Sequence, residues 1–443
     1  YGAGTDSTLI SGNYIGVGSD GASALPNYSA GVWIESGPSS TTIGGSSPGA
    51  GNVISAHSAS QIALTGSGTD NSVIAGNIIG LAADGLTDLP GASAGIYLDN
   101  GVNNVIIGGT TSTERNIISG NADGVVMAGT GTYGIRIIGN YIGTDSTGMV
   151  AVGNSFDGIS IESGASDNEI GGDLSGEGNL ISANGQYGIM LTGATTSGNV
   201  IQGNKIGTDV TGMSALPNGY DGIHLRNGTL NNTIGGATVG SANLISGNTM
   251  DGIEILIGGT NGTTVQGNWI GVDATGWGDL GNGDYGVIVS DGITDTMIGP
   301  DNRIAYNGLG GVYVYGIDAE EIVITENSIF QNAYDGIVIT LNANNNILPP
   351  TITATSLSSV LIEGTACSGC TVEVFSNLEG EDQGRTFLGS ATADGSGDWS
   401  LSVACFGSPY LTATATDAVD GTSEFSSVFT SSVRCLFMPL ITR

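Results

Sequence analysis

The segment GTDVTGMSALPNGYDGIHL, residues 207–225, has a counterpart 64 residues earlier, GTDSTGMVAVGNSFDGISI from Gly143, and another 64 residues later, GVDATGWGDLGNGDYGVIV from Gly271. Looser copies begin at Gly16 and Gly80. A period this regular restricts the chain to architectures that stack one supersecondary unit many times. Shorter motifs subdivide it. One recurs as NVISAH, NIISGN, NLISAN, NLISGN and NRIAYN from Asn52, Asn116, Asn179, Asn243 and Asn302, and a GN-x-IG motif places Asn13, Asn77, Asn140, Asn204 and Asn268 between them. A denser element, small-apolar-x-apolar, has its first apolar residue at Val32, Ile62, Ile96, Val125, Ile159, Ile189, Ile223, Ile253, Val287, Val312 and Ile337.

Each of these eleven units holds three apolar segments of two to four residues, separated by Gly, Asn, Asp, Ser and Thr. Segments this short read as strands joined by turns. One unit cannot bury its own apolar face, whereas units stacked in parallel bury a continuous column. The expected fold is all-β, a right-handed parallel β-helix of about eleven coils, long and short alternating, and roughly 50 Å long at about 4.8 Å per coil. Asparagine suits the bends because it tolerates left-handed backbone and its amide can bond from coil to coil. The two asparagine series are therefore read as structural ladders.

The stretch NLISGNTMDGIEILIGGTNGTTVQGNWIG (243–271) resembles the parallel β-helix repeats of pectate-lyase-like proteins, and 1–346 is similar to the β-helix regions of large secreted bacterial proteins. The resemblance implies the fold and leaves the activity open, because lyases, hydrolases, epimerases, tailspikes and adhesins share it. After NNNILPP (344–350) the repeat stops. Residues 347–430, with strands such as TVEVFSN and YLTATATD, resemble the immunoglobulin-like modules of bacterial secreted proteins, and 431–443 form an apolar tail expected to dock or add a strand.

Acidic residues number 41 against eight basic ones, and the formal net charge is −33. Such a surface repels phosphate backbones, which excludes nucleic acid as a partner. No 18-residue apolar run is present, so no membrane insertion is expected. All four cysteines follow residue 366, which suits disulfides in an extracellular or cell-surface protein. Of the three possible pairings we favour Cys367–Cys370 with Cys405–Cys435, the second stapling the tail.

Three sets of residues are candidates for function. His224 and Arg226 lie two apart and share one strand face, with Glu162 two coils earlier on that face, and these are the first candidates for catalysis. Lyases of the resembled class use an Arg or Lys base beside calcium, and hydrolases use converging carboxylates. The Asp-Gly pairs at Asp123, Asp157, Asp221, Asp251 and Asp335 read as turn chemistry without that convergence. The loop aspartates Asp145, Asp209 and Asp273 are the calcium candidates, hard oxygen ligands lacking the full cation-loop pattern. No cofactor is otherwise indicated. Outward strand positions supply a largely apolar stripe that includes Trp33, Tyr97, Val126, Met190, Ile288 and Tyr313, which implies lateral packing or sugar stacking.

Near-uniform coils, few bases and that stripe favour an extracellular structural or adhesive protein over an enzyme. It would assemble as a homo-oligomer or filament through open β-helix ends, because exposed strand edges pair. The alternatives are a polysaccharide-active lyase, epimerase or hydrolase and a non-catalytic carbohydrate-binding adhesin.

Overall fold

The computed structural model describes residues 2, 4–356, 361–403 and 407–432. Among these, three parallel sheets of eleven strands each wind into a right-handed parallel β-helix. The first sheet runs from Leu9–Ile10 to Ile322–Ile324, the second from Tyr14–Ile15 to Ser328–Phe330, and the third from Val32–Glu35 to Ile337–Thr340. Each strand pairs with the strand one coil away, in register. Inward positions therefore form columns, and in the second sheet every one from Ile15 to Ile329 is isoleucine. Stacked β-branched side chains fit a pleated surface and lose little freedom there. Most of these side chains are fully buried, at about 1.5–3 kcal/mol each as an upper range.

The bend between the first and second sheets would strand buried backbone groups, and asparagine satisfies them. The two expected series interleave into one ladder from Asn13 to Asn327, in which each side-chain amide donates to the carbonyl oxygen of the next. Asn204 donates to Asn243 at 3.0 Å and to the backbone carbonyls of Ile170 and Gln202. A second ladder, Asn121 to Asn332, occupies the next bend and ends on Gln383 Oε1 at 3.0 Å.

That glutamine belongs to the C-terminal module, two small antiparallel sheets of three and five strands among the described residues, packed as a sandwich. The module covers the end of the solenoid. Ile324 N–H donates to Thr422 Oγ1, Ile329 pairs with Gly384, and Ile339 N–H donates to Glu424. All three terminal strands thus find partners within the chain. This corrects the expectation of assembly through both β-helix ends, since a covered edge has no free donors or acceptors to pair. Cys367 and Cys370 are bonded, while Cys405, Cys435 and residues 433–443 of the tail lie outside the described residues.

The recurring loop folds back over the outward face of the second sheet. Its glycine has positive φ in every copy, +70° at Gly148 and +72° at Gly212, and a Cβ at Gly148 would meet Tyr141, Val210 and Leu180 within 3.0 Å. Consecutive copies bond directly, Val210 N–H to Gly148 O at 2.9 Å and Ala274 N–H to Gly212 O at 2.8 Å. The ridge is a second packing layer on its own sheet.

Asn204→Ala removes a ladder rung and leaves buried partners unsatisfied, at about 1–3 kcal/mol per group. Urea denaturation is expected to show a loss of that size or larger, well above that of Asn13→Ala at the exposed end. His57 replaces asparagine at the start of the second ladder. It is fully buried, its Nδ1 accepts from Asn27 N–H, and its Nε2 has no partner among the described residues. Burial lowers its pKa below the usual 6.5. The unfolded chain then binds the extra proton, so stability is lost as pH falls below 6.5 towards the folded value. Melting curves between pH 7 and 5 are expected to show this decline, and His57→Asn is expected to flatten it.

Candidate active site

Because the third sheet is in register, its first outward positions form one column: Trp33, Ala63, Tyr97, Val126, Ser160, Met190, His224, Glu254, Ile288, Tyr313 and Val338. The residues read as an apolar stripe do line up. Ser160, His224 and Glu254 stand among the apolar residues of this column, and tyrosine rings of this chain cover part of it. Tyr187 stacks on His224 with ring centroids 4.2 Å apart, and Tyr285 stacks on Tyr313 at 4.8 Å. Val126 and Ile288 are buried, while Trp33 stays exposed at the far end.

Two residues before each strand, the Asp-Gly aspartates share the same face. One oxygen of Asp157, of Asp221 and of Asp251 holds the following coil: Asp157 Oδ1 accepts from Tyr187 N–H, Asp221 Oδ1 from Asp251 N–H at 3.1 Å, and Asp251 Oδ1 from Tyr285 N–H at 2.7 Å. The glycine lets the coils approach, since a Cβ at Gly222 would lie 2.6 Å from Ile245 Cγ2. This is the turn role expected from sequence, but the dispersal along the chain becomes convergence in space.

His224 is the centre of that convergence. Its Nδ1 lies 3.0 Å from Asp221 Oδ2 and 2.9 Å from Glu254 Oε2, and the ring is 2% exposed. Burial alone would lower its pKa, yet the hydrogen bonds to Asp221 and Glu254 and their charges raise it above 6.5. Nδ1 thus lies within hydrogen-bond reach of two carboxylates, and Nε2 has no partner among the described residues. Burial pushes Asp221 up to about 6. Burial also acts on Glu254, but bonds from His224 and Asp221 reverse it and hold Glu254 below the ordinary range. Next along the column, burial and the charges of Asp221 and Glu254 push Asp251 up to about 8. On the other side, burial raises Asp157 to about 6.

Arg226 stands two residues along the same strand, its Nη2 3.5 Å from Met190 Sδ, and Glu162 lies two coils away in the column of Arg226. The partners that sequence reasoning missed are Asp221, Asp251 and Glu254. The signal was present in register arithmetic: residues 30 apart on adjacent coils become neighbours.

Among the described residues, Asp221, His224 and Glu254 are the three that could hold a metal ion, with ligand atoms within 4.8 Å of one another. An ion there would displace the proton on Nδ1. Each of the loop aspartates read as calcium candidates closes its own turn. Asp145 accepts from Thr147 Oγ1 and the N–H groups of Met149 and Val150, Asp209 from Thr211 and Met213, and Asp273 from Thr275 and Gly278.

No protein-family model matches the chain, and no curated protein matches it. Solved structures similar to it include tailspike protein 2 of the Escherichia coli O157:H7 bacteriophage CAB120, at 11% identity and a TM-score of 0.34 over 83% of this chain. The chain spans 61% of that tailspike's length. The periplasmic alginate epimerase AlgG is 14% identical with a TM-score of 0.33, covering 72% of this chain and 77% of the epimerase. The A-module of the Azotobacter vinelandii mannuronan C-5 epimerase AlgE4 is 18% identical with a TM-score of 0.30, covering 70% and 88%.

A raised histidine pKa makes the folded state bind the extra proton. The stabilisation is complete below 6.5 and is lost as pH rises through the folded value. Proton–nitrogen NMR is expected to show the His224 imidazolium persisting above 6.5, and Glu254→Gln is expected to shift its titration downwards.

Proposed function

We propose that the chain is a polysaccharide-active enzyme of the β-helix class that hydrolyses a neutral glycan on the outward face of the third sheet, outside the cell. The observation that carries this reading is the meeting of Asp221 and Glu254 on His224 Nδ1, with Asp251 beside them, at one place in an otherwise repetitive rod. Carboxyl groups whose environments drive their pKa values apart divide into acid and base. Asp251 carries a proton at neutral pH and is the candidate acid that protonates the departing glycosidic oxygen. Glu254 is ionised and more exposed than His224 or Asp221, and it is the candidate base that takes the proton of the attacking water. His224 and Asp221 are positioning residues that hold Glu254 ionised and aimed.

The charge of the face favours a neutral substrate. Asp123, Asp157, Glu162, Asp221, Asp251 and Glu254 line it against Arg226 and His224, and a polyuronate would meet like charge. Tyr187, Tyr285 and Tyr313 supply ring surface for sugars on the same face. The Cys367–Cys370 disulfide suits an oxidising compartment.

Incubation with neutral glucans and galactans is expected to release reducing ends without the ultraviolet absorbance of unsaturated sugars. Glu254→Gln and Asp251→Asn are each expected to lower kcat by about 10²–10⁴-fold. The rate is expected to fall as pH rises past about 8, where Asp251 loses its proton. Unsaturated products from a uronate polymer, or full activity in Glu254→Gln, would overturn the reading.

A further inference from the structure

The second sheet carries a different surface, on which basic residues gather. Its outward column includes Tyr141, Leu180, Lys205, Leu244, Trp269 and Arg303 in successive register. Three cavities follow one another along this column. The first, of about 480 Å³, is bounded by Arg115, Tyr141, Lys205 and the loop at 172–178. The second, of about 260 Å³, lies on the loop at 236–242, whose Gly240 also borders the first. The third, of about 290 Å³, shares Trp269 and Asp301 with the second and reaches Arg385 of the C-terminal module. Together they form a groove along the rod, between the ridge of recurring loops and the loops that join the first sheet to the second.

Arg115, Lys205, Arg303 and Arg385 are half of the eight basic residues in a chain of net charge −33. Although acidic residues outnumber basic ones five to one, only Arg385 has a carboxylate partner among the described residues, Glu381. Lys205 Nζ donates to the carbonyl of Val210, and Arg115 Nε to that of Gly139 while its guanidinium covers Tyr141 at 4.0 Å. Arg303 lies over Trp277 at 4.0 Å and near Trp269 at 5.7 Å, and its Nη1 donates to Gly276 O. Its Nε is buried and has no acceptor among the described residues. Asp173, Asp301 and Glu326 border the groove, and none of them pairs with these cations. Arg115, Lys205 and Arg303 are therefore fixed by rings and carbonyls, with no carboxylate partner among the described residues.

We propose that this groove binds a linear polyuronate, a glycan bearing a carboxylate on its sugars. A planar carboxylate matches the guanidinium fork and is bound more strongly than a neutral acceptor. Trp277, 55% exposed, and Trp269 present indole surface to sugar rings. A row of cations along the rod suits a polymer better than a single anion. The site is separate from the acidic face and does not depend on its activity.

The test uses the full chain and isothermal titration with oligogalacturonate, a neutral glucan of equal length and single-stranded DNA of equal charge. Oligogalacturonate is expected to bind, with affinity falling at least tenfold when ionic strength rises from about 0.1 to about 1 M. The double variant Lys205→Gln with Arg303→Gln is expected to weaken binding by about tenfold or more. Its circular dichroism and its cleavage of neutral glycan should match the parent, which separates a lost contact from a lost fold. Tryptophan fluorescence should change on binding and not do so in the variant. The proposal is overturned if oligogalacturonate fails to bind, if neutral glucan binds equally well, if DNA binds as tightly as the uronate, or if the variant retains full affinity.

Discussion

Everything in this rod depends on one interaction, the amide of an asparagine in one coil donating to the amide of an asparagine in the next. A buried bend leaves N–H and C=O groups that no strand can satisfy, and a buried group without a partner costs about 1–3 kcal/mol. The ladder from Asn13 to Asn327 removes that cost only when the coils are in register. Register then sets every other column. It aligns the isoleucines of the core, seats each recurring loop on the one before it, and carries through the second ladder into Gln383, where the C-terminal module closes the stack.

The same register converts distance along the chain into contact. His224, Asp221 and Glu254 come from two adjacent coils, yet both carboxylates sit within hydrogen-bond reach of one imidazole nitrogen. A stack of like positions concentrates like charge, and the aspartates before the third sheet show the result. Asp157, Asp221 and Asp251 are each needed by the backbone of the next coil, each is buried, and their pKa values rise together. Only the coil that carries histidine relieves this repulsion locally, which holds Glu254 ionised beside an Asp251 that keeps its proton. A structural turn repeated along a column has thereby become a set of unlike acids at one point.

The second sheet shows what happens where the repeat places cations instead. Lys205 and Arg303 each donate to a carbonyl of the loop that covers them, so the loops that complete the packing also fix the charges. Glycine at the bend of each loop is required twice, for its positive φ and for the close approach to Tyr141 or Leu244. The ridge of recurring loops is a wall of a groove.

The period, the eleven coils, the asparagine bends and the composition of the outward column were all legible in the sequence, because each is a one-dimensional pattern with one physical reading. The sequence also pointed to His224, two residues from Arg226 on one strand face. It did not reveal that Asp221 and Glu254 would share its Nδ1, that the Asp-Gly aspartates would meet, or that the C-terminal module would cover the last coil. Those facts depend on which coil lies against which and on the direction each side chain takes from its strand. Register and burial arise only when the chain is stacked, and they decide whether a repeated carboxylate is a turn, a proton donor or a base.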